Sequence, residues 1–113
     1  MITILHNPRC SKSREGLALL ENSGKEFEVI KYLDEPISEE KLKTIISLLK
    51  IEPIQLVRKN EAIWKSDFKG KSLTNAQILK AMITHPKLIE RPIVINGKNA
   101  TIGRPPQNIL DII

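Results

Sequence analysis

Apolar and polar positions recur along the chain with the period of a strand in some segments and of a helix in others. In the first third of the chain, this pattern predicts two strands and one helix. Residues 1–5 are an apolar run ending at a His-Asn-Pro sequence, which predicts a buried strand followed by a turn. Residues 26–32 alternate and predict a second strand. Between them, residues 11–22 or 11–23 predict a helix, with Gly24 next to its end. The order is therefore strand–helix–strand.

The middle of the chain predicts helices. Ser38 is a suitable N-cap, because Glu39 and Glu40 follow it in the first turn, where negative charge is favourable. The apolar residues after this cap recur at the spacing of one helical face: Leu42, Ile45, Ile46 and Leu49. A short helix is expected from Pro53 to Val57. Thr74 and Gln77 form a capping box for another helix, which ends at His85-Pro86.

The end of the chain predicts a hairpin and a final helix. Residues 92–95 and 100–102 are apolar segments separated by Asn96-Gly97, a pair suited to a type I′ turn. A short amphipathic helix is expected over the apolar residues at the end of the chain, which are Ile109, Leu110, Ile112 and Ile113. A βαβ unit, a helical insert and a closing ββα unit predict an α/β thioredoxin-like fold with a mixed four-stranded sheet. We expect one domain over residues 1–113.

Composition places the chain among ordinary globular proteins. Of its 113 residues, 41% are hydrophobic and 27% are charged. No apolar run approaches the roughly 20 residues that a membrane span requires, and no signal-peptide pattern begins the chain. One cysteine permits no internal disulfide, which is typical of a reducing compartment. We therefore expect a cytoplasmic protein with no membrane partner.

The positive charge indicates an acidic partner. The net charge is +5, and residues 61–113 hold eight Lys and Arg against four Asp and Glu. The basic residues are scattered, however, and no aromatic-studded strand or nucleic-acid motif accompanies them. A basic pocket for a small anion is therefore expected rather than a nucleic-acid surface.

The single cysteine lies in a loop that favours reactivity. Cys10 falls where the first strand has ended and the first helix begins, so unpaired N–H groups and the helix dipole favour its thiolate. Nearby cations act in the same direction, and two serines can donate hydrogen bonds. The residues expected to stabilise the thiolate are Ser11, Lys12, Ser13 and Arg14. The competing interpretation is an inert, small apolar cysteine, and the polar loop argues against it.

Spacing excludes two other kinds of site. A phosphatase-type loop needs an arginine with five residues between it and the cysteine, but Gly16 stands there. One cysteine and two distant histidines do not form a metal site, so no metal is expected. His6 either orients or deprotonates Cys10, or is a structural turn histidine. Because the chain has no second cysteine, an oxidised Cys10 needs an outside thiol for its reduction.

Four motifs are spread over nearly the whole chain, at residues 4–10 (ILHNPRC), 56–60 (LVRKN), 90–94 (ERPIV) and 103–106 (GRPP). In identity and order they resemble the glutaredoxin-coupled ArsC-type arsenate reductases, in their shorter branch without a C-terminal extension. The resemblance implies that Cys10 is the nucleophile and that His6 lies beside its thiolate. It also implies that three arginines bind the substrate oxyanion, namely Arg58, Arg91 and Arg104. A cis peptide at Arg91-Pro92 is expected as well.

The resemblance further implies a reaction and its partners. Cys10 would attack arsenate, or a related oxyanion, and form a thiol–arsenic adduct. Glutathione would serve as a co-substrate, glutaredoxin would clear the mixed disulfide, and no cofactor would be tightly bound.

Two alternatives use the same fold differently. Spx-type regulators bind RNA polymerase and sense oxidation through a C-x-x-C pair, but Ser13 occupies the second cysteine position here. A glutathione-linked thiol oxidoreductase that does not use arsenate would need Cys10 but not the three arginines together.

Overall fold

The computed structural model describes all residues from 1 to 113. Its elements in chain order are β1 (Ile2–Leu5), α1 (Ser11–Asn22), β2 (Phe27–Ile30), α2 (Glu39–Leu49), a 3₁₀ helix (Pro53–Leu56), α3 (Ala62–Asp67), α4 (Asn75–Thr84), a 3₁₀ helix (Pro86–Leu88), β3 (Ile93–Asn96), β4 (Asn99–Ile102) and a 3₁₀ helix (Pro106–Asp111). The chain divides into two compact units, of which the first contains Met1–Glu35 and Arg91–Ile113 and the second contains Pro36–Glu90.

The first unit contains the whole sheet. The strand order is β2-β1-β3-β4, with β1 and β2 parallel and the other pairs antiparallel. Ile4 on the central strand β1 is opposite Val29 of β2 on one side and Val94 of β3 on the other. A parallel pair needs a crossover, and α1 supplies it. The predicted mixed four-stranded sheet is confirmed.

The core of the first unit brings α1, the sheet and the last 3₁₀ helix together. Its buried residues are Ile2, Ile4, Leu20, Val94 and Ile109. Two glycines permit this close packing. A Cβ added to Gly16 would lie 2.9 Å from both Ile109 and Pro92, and one added to Gly103 would lie 2.8 Å from Pro92. The lack of a side chain at these two positions lets α1 and the end of β4 approach Pro92 and Ile109 closely.

The second unit is mainly helical. Helix α4 packs against α2 and against the two 3₁₀ helices that begin at Pro53 and Pro86. Apolar residues of these elements are fully buried: Leu42, Ile45, Leu56, Met82 and Leu88. The predicted caps are confirmed, because the Ser38 side chain accepts a hydrogen bond from the Lys41 N–H and Thr74 forms its capping box with Gln77.

Three predicted features differ in the structure. Strand β2 is shorter than residues 26–32 and lies at the edge of the sheet, where Val29 is exposed. The hairpin loop consists of Gly97 and Lys98, with a positive φ at Gly97 alone, so the type I′ prediction is wrong and the loop resembles a type II′ turn. The final helix is of 3₁₀ type, with Ile109 buried and Leu110 52% exposed.

No helix of the protein combines the length and the apolar character that crossing a bilayer requires.

Candidate functional site

Cys10 is the N-cap residue of α1. Its backbone is extended (φ −95°, ψ 124°), and its N–H donates to the Asn7 carbonyl at 3.0 Å. Its own carbonyl accepts from the Arg14 N–H at 3.0 Å, which is the first hydrogen bond of the helix. The thiol is half-buried, and no side chain caps the helix. The predicted strand–helix junction therefore places the cysteine at the positive end of the helix dipole.

Arg104 contacts the thiol directly. Its Nη2 lies 3.5 Å from the Cys10 Sγ, although the two residues are 94 positions apart in the chain. Its Nε donates to the Arg91 carbonyl at 2.9 Å, which fixes the plane of the guanidinium. A guanidinium N–H directed at sulfur can form a charge-assisted hydrogen bond with a thiolate.

The backbone around Arg91 and Arg104 joins the two predicted arginine motifs. The Gly103 N–H donates to the Pro92 carbonyl at 2.8 Å. The peptide bond Arg91–Pro92 is cis, which confirms the expectation, and the bond Arg104–Pro105 is cis as well. The Arg91 side chain is only 6% exposed. The structure thus places Arg91, Arg104 and Cys10 in one unit and connects them through Arg104.

His6 belongs to a buried hydrogen-bond network that does not include Cys10. Its Nδ1 lies 2.6 Å from the Ser13 hydroxyl, and that hydroxyl accepts from the Asn7 N–H at 2.9 Å. Burial lowers the pKa of His6 below its ordinary value, and the positive charge of Lys31 acts in the same direction. The imidazole is therefore neutral near neutral pH. Its hydrogen bond is with Ser13 and not with Cys10, so its catalytic role stays a prediction.

The other residues of the loop have partners away from the sulfur. Arg14 donates from Nη1 to the Pro8 carbonyl at 3.0 Å, and Lys12 pairs with Glu15 at 3.4 Å. Ser11 is exposed and is the first residue of α1. That these residues and Ser13 stabilise the thiolate therefore stays a prediction.

Arg58 lies in the second unit, where two carboxylates surround its guanidinium. Its Nη1 is 3.1 Å from Glu61 Oε1, and its Nε is 3.7 Å from Glu90 Oε1. Its N–H donates to the Leu88 carbonyl at 2.7 Å, next to a bridge between Val57 and Ile89. The role of Arg58 in oxyanion binding stays a prediction.

Asn7 belongs to the site as well, although it is not among the predicted site residues. Its buried side chain accepts from the Arg9 N–H at 3.0 Å, while its backbone carbonyl accepts from the Cys10 N–H at 3.0 Å. Asn7 therefore shapes the loop that carries the cysteine. The available signal was the Asn-Pro pair, which is typical of a turn in which the asparagine side chain bonds to the backbone two residues ahead.

These features define an α/β protein with a single thiol between a strand and a helix and an arginine directed at its sulfur. A model of the ArsC family matches residues 5–112. The chain belongs to the ArsC family.

Named relatives match almost the whole chain. A Haemophilus influenzae protein named arsenate reductase is 45% identical over 114 residues, with 99% of this chain and 98% of the relative covered. An arsenate reductase of Neisseria meningitidis serogroup A is 43% identical over 110 residues, with 96% and 94% covered. The solved structure of an arsenate reductase from Vibrio cholerae is 46% identical and superimposes with a TM-score of 0.95, covering 99% of this chain and 97% of that chain. The predicted thioredoxin-like fold is confirmed.

Proposed function

We propose that the protein is an arsenate reductase that uses Cys10 as its nucleophile. The observation that carries this proposal is the 3.5 Å contact between Arg104 Nη2 and Cys10 Sγ. It combines a thiol with a planar cation, and that cation suits both a thiolate and an oxyanion. The names of the relatives supply the substrate, because proteins at 43% and 45% identity are named arsenate reductase.

The first step is attack of the Cys10 thiolate on the arsenic of arsenate. A sulfur–arsenic bond forms, and one arsenate oxygen leaves as water after taking protons from solvent. Arg104 then exchanges its contact with the thiolate for a contact with the arsenate oxygens. Arg91, in the same unit, would provide further N–H donors for the remaining charge. An oxidation state of As(V) is retained in this adduct.

The second step transfers the electrons. A glutathione thiolate attacks the Cys10 sulfur, the sulfur–arsenic bond breaks, and its electron pair stays on arsenic, which leaves as arsenite. Cys10 and glutathione are thereby oxidised to a mixed disulfide. Glutaredoxin then takes the glutathione from Cys10 by thiol–disulfide exchange and releases the Cys10 thiolate. The single cysteine of the chain supports this order, because no internal thiol is present to resolve Cys10.

A coupled assay tests the reaction. Protein with glutathione, glutaredoxin and an NADPH-recycling system should oxidise NADPH only when arsenate is present. Cys10→Ser should remove this turnover. Turnover that does not depend on arsenate but needs Cys10 would instead identify a glutathione-linked oxidoreductase and overturn the proposal.

Alkylation of Cys10 tests the anion site separately. Arsenate should slow alkylation by iodoacetamide, because it occupies the space beside the thiolate. Arg104→Ala should weaken this protection by about tenfold or more in arsenate concentration, which is the usual effect of losing a charge-assisted hydrogen bond. Lys98→Ala, which removes an exposed cation from the β3–β4 turn, is the matched control and should keep the protection. Equal losses of protection in Arg104→Ala and Lys98→Ala would show that arsenate responds only to the net charge of the protein.

A further inference from the structure

A cavity of about 390 Å³ lies between α1 and the residues that follow Arg104. Its lining consists of three α1 side chains and three consecutive residues at the start of the last 3₁₀ helix: Lys12, Glu15, Leu19, Pro105, Pro106 and Gln107. Its volume is at the lower end of the range for small-molecule sites, roughly 300–1,000 Å³. Two of its lining residues are close in sequence to the contact between Cys10 and Arg104, because Lys12 is two residues after Cys10 and Pro105 directly follows Arg104.

The wall of the cavity carries one charge of each sign. The Lys12 Nζ lies 3.4 Å from Glu15 Oε2, and the two side chains are 47% and 54% exposed. An ion pair this exposed is weak, so each partner is available to a ligand. An α-amino acid with free ammonium and carboxylate groups carries the same two charges on one carbon. It can therefore place its carboxylate on Lys12 and its ammonium on Glu15.

The same charges disfavour arsenate in this cavity. An oxyanion is bound by cations and N–H donors, and the Glu15 carboxylate would repel it. The rest of the lining suits an organic ligand, since Leu19 and the two prolines can contact methylene groups and the Gln107 amide can bond to a peptide group. The cavity is thus chemically distinct from the oxyanion site at Arg104.

The distance to the sulfur suits a tripeptide. Glu15 is five positions after Cys10, which is about 7.5 Å along a helix axis. A tripeptide spans at most about 10 Å when extended. A ligand of this length with its amino-acid end at Lys12 and Glu15 can place a central thiol at the Cys10 sulfur.

We infer that this cavity binds glutathione by its γ-glutamyl end and directs its thiol towards Cys10. The γ-linkage leaves the α-ammonium and the α-carboxylate on the same carbon, so glutathione differs here from ordinary peptides. The choice of glutathione rests on the proposed function, whereas the preference for an amino-acid head group follows from the cavity itself.

Binding of S-methylglutathione tests the inference without any thiol chemistry. Titration of the wild-type chain, followed by NMR, should give saturable shifts. Glu15→Gln should weaken binding by about tenfold, because it removes the partner of the ammonium group. Lys12→Gln should weaken it as well. Glu26→Gln, at an exposed position outside the cavity, is the matched control and should bind as wild type does.

A second ligand makes the test specific for the head group. The S-methylated α-linked tripeptide Glu-Cys-Gly has the same composition but no free α-carboxylate on its first residue. It should bind the wild-type chain about as weakly as S-methylglutathione binds Glu15→Gln. Equal binding of the two tripeptides, an equal effect of Glu15→Gln and Glu26→Gln, or no binding at all would overturn the inference.

Kinetics separate this inference from the proposed function. In the coupled assay, Glu15→Gln should raise the KM for glutathione about tenfold and leave the KM for arsenate unchanged. If arsenate turnover persists with an unaltered KM for glutathione, the inference fails and the proposed function stands. If S-methylglutathione binds as expected but no arsenate-dependent turnover occurs, the proposed function fails and the site stands.

Discussion

Helices α1 and α2 begin in opposite ways. At α2, the Ser38 hydroxyl accepts from the Lys41 N–H at 3.1 Å, and the acidic residues Glu39 and Glu40 occupy the first turn. At α1, the N-cap is Cys10, whose side chain forms no cap, and the first turn contains no acidic residue. Helix α2 thus satisfies one of its terminal N–H groups with its N-cap side chain, whereas α1 does not.

The difference shows what the first turn of α1 is suited to do. A hydroxyl or carboxylate cap would occupy the N–H groups and neutralise the positive end of the dipole. Leaving them uncapped forgoes roughly 0.5–2 kcal/mol of helix stability. In return, a thiolate or an oxyanion can use that end of the helix. The start of α2 serves stability, whereas the start of α1 is left available for the chemistry proposed for Cys10.

The largest expected effect is at Cys10, where both substitutions should remove activity but should differ in stability. Cys10→Ser and Cys10→Ala should both reduce arsenate turnover by about 10³-fold or more, because the nucleophile is lost. The free energy of unfolding of the serine variant should nevertheless be about 1 kcal/mol higher than that of the alanine variant, since serine caps a helix and alanine does not. Urea unfolding and the coupled assay measure the two effects. Equal stabilities of the two variants would contradict the comparison.

A second change tests how closely α1 approaches the sheet. Gly16→Ala places a Cβ 2.9 Å from both Ile109 Cδ1 and Pro92 Cγ, and the proline ring has little freedom to move. We expect a loss of about 1–3 kcal/mol in the free energy of unfolding, as for other overpacked cores. On helix propensity alone the same change would stabilise the chain by about 1 kcal/mol. The sign of the measured change therefore decides between packing and propensity.

The matched control for Gly16 is Ala18, which is exposed on the same helix. Ala18→Gly should destabilise the chain by about 1 kcal/mol through propensity alone. A stabilising Gly16→Ala together with a destabilising Ala18→Gly would show that packing at Gly16 is loose.

A third change removes the cap of α2. Ser38→Ala should lower the free energy of unfolding by about 1 kcal/mol, because the Lys41 N–H loses its acceptor. The kcat of the coupled reaction should not change, since the serine serves only the helix. A loss of activity without a loss of stability would contradict the division between the two helix starts. Thr44→Ala, at an exposed position within α2, is the control.

Much of the fold could be predicted because its signals are local. The face of α2, its Ser38 cap and the Thr74–Gln77 box are all encoded within a few residues, and the structure contains each of them. Helix α3 was not predicted, because it has six residues and buries only Trp64. The type of the last helix was also missed: Pro105 caps it, Pro106 begins it, and apolar spacing over six residues does not separate α from 3₁₀ geometry.

The site is predictable only in part, because its contacts are not local. The position of Cys10 at the start of α1 follows from the strand and helix patterns around it. The contact of Arg104 with Cys10 joins residues 94 positions apart, and only the resemblance to a family indicated it. The bond between His6 and Ser13 crosses a loop of irregular geometry, so no helical or strand spacing could have predicted that Ser13 faces the histidine rather than the thiol.

The smallest expected effect is a pH dependence of stability from His6. Burial lowers the pKa of His6 in the folded chain, whereas in the unfolded chain it keeps its ordinary value near 6.5. Between the two values the unfolded chain binds a proton that the folded chain does not. The free energy of unfolding should therefore fall as the pH drops below about 6.5, and it should level off once the pH is below the folded value.

Urea unfolding across about pH 5 to 8 measures this slope. His6→Asn should flatten it, since asparagine keeps a polar atom for Ser13 but does not titrate. His85→Gln removes the other histidine, which lies in the second unit, and should leave the slope in place. If the pH dependence of stability survives in His6→Asn and disappears in His85→Gln, it arises in the second unit and the prediction is wrong. The pKa of His6 would then be the same in the folded and the unfolded chain, and burial would not determine its protonation state.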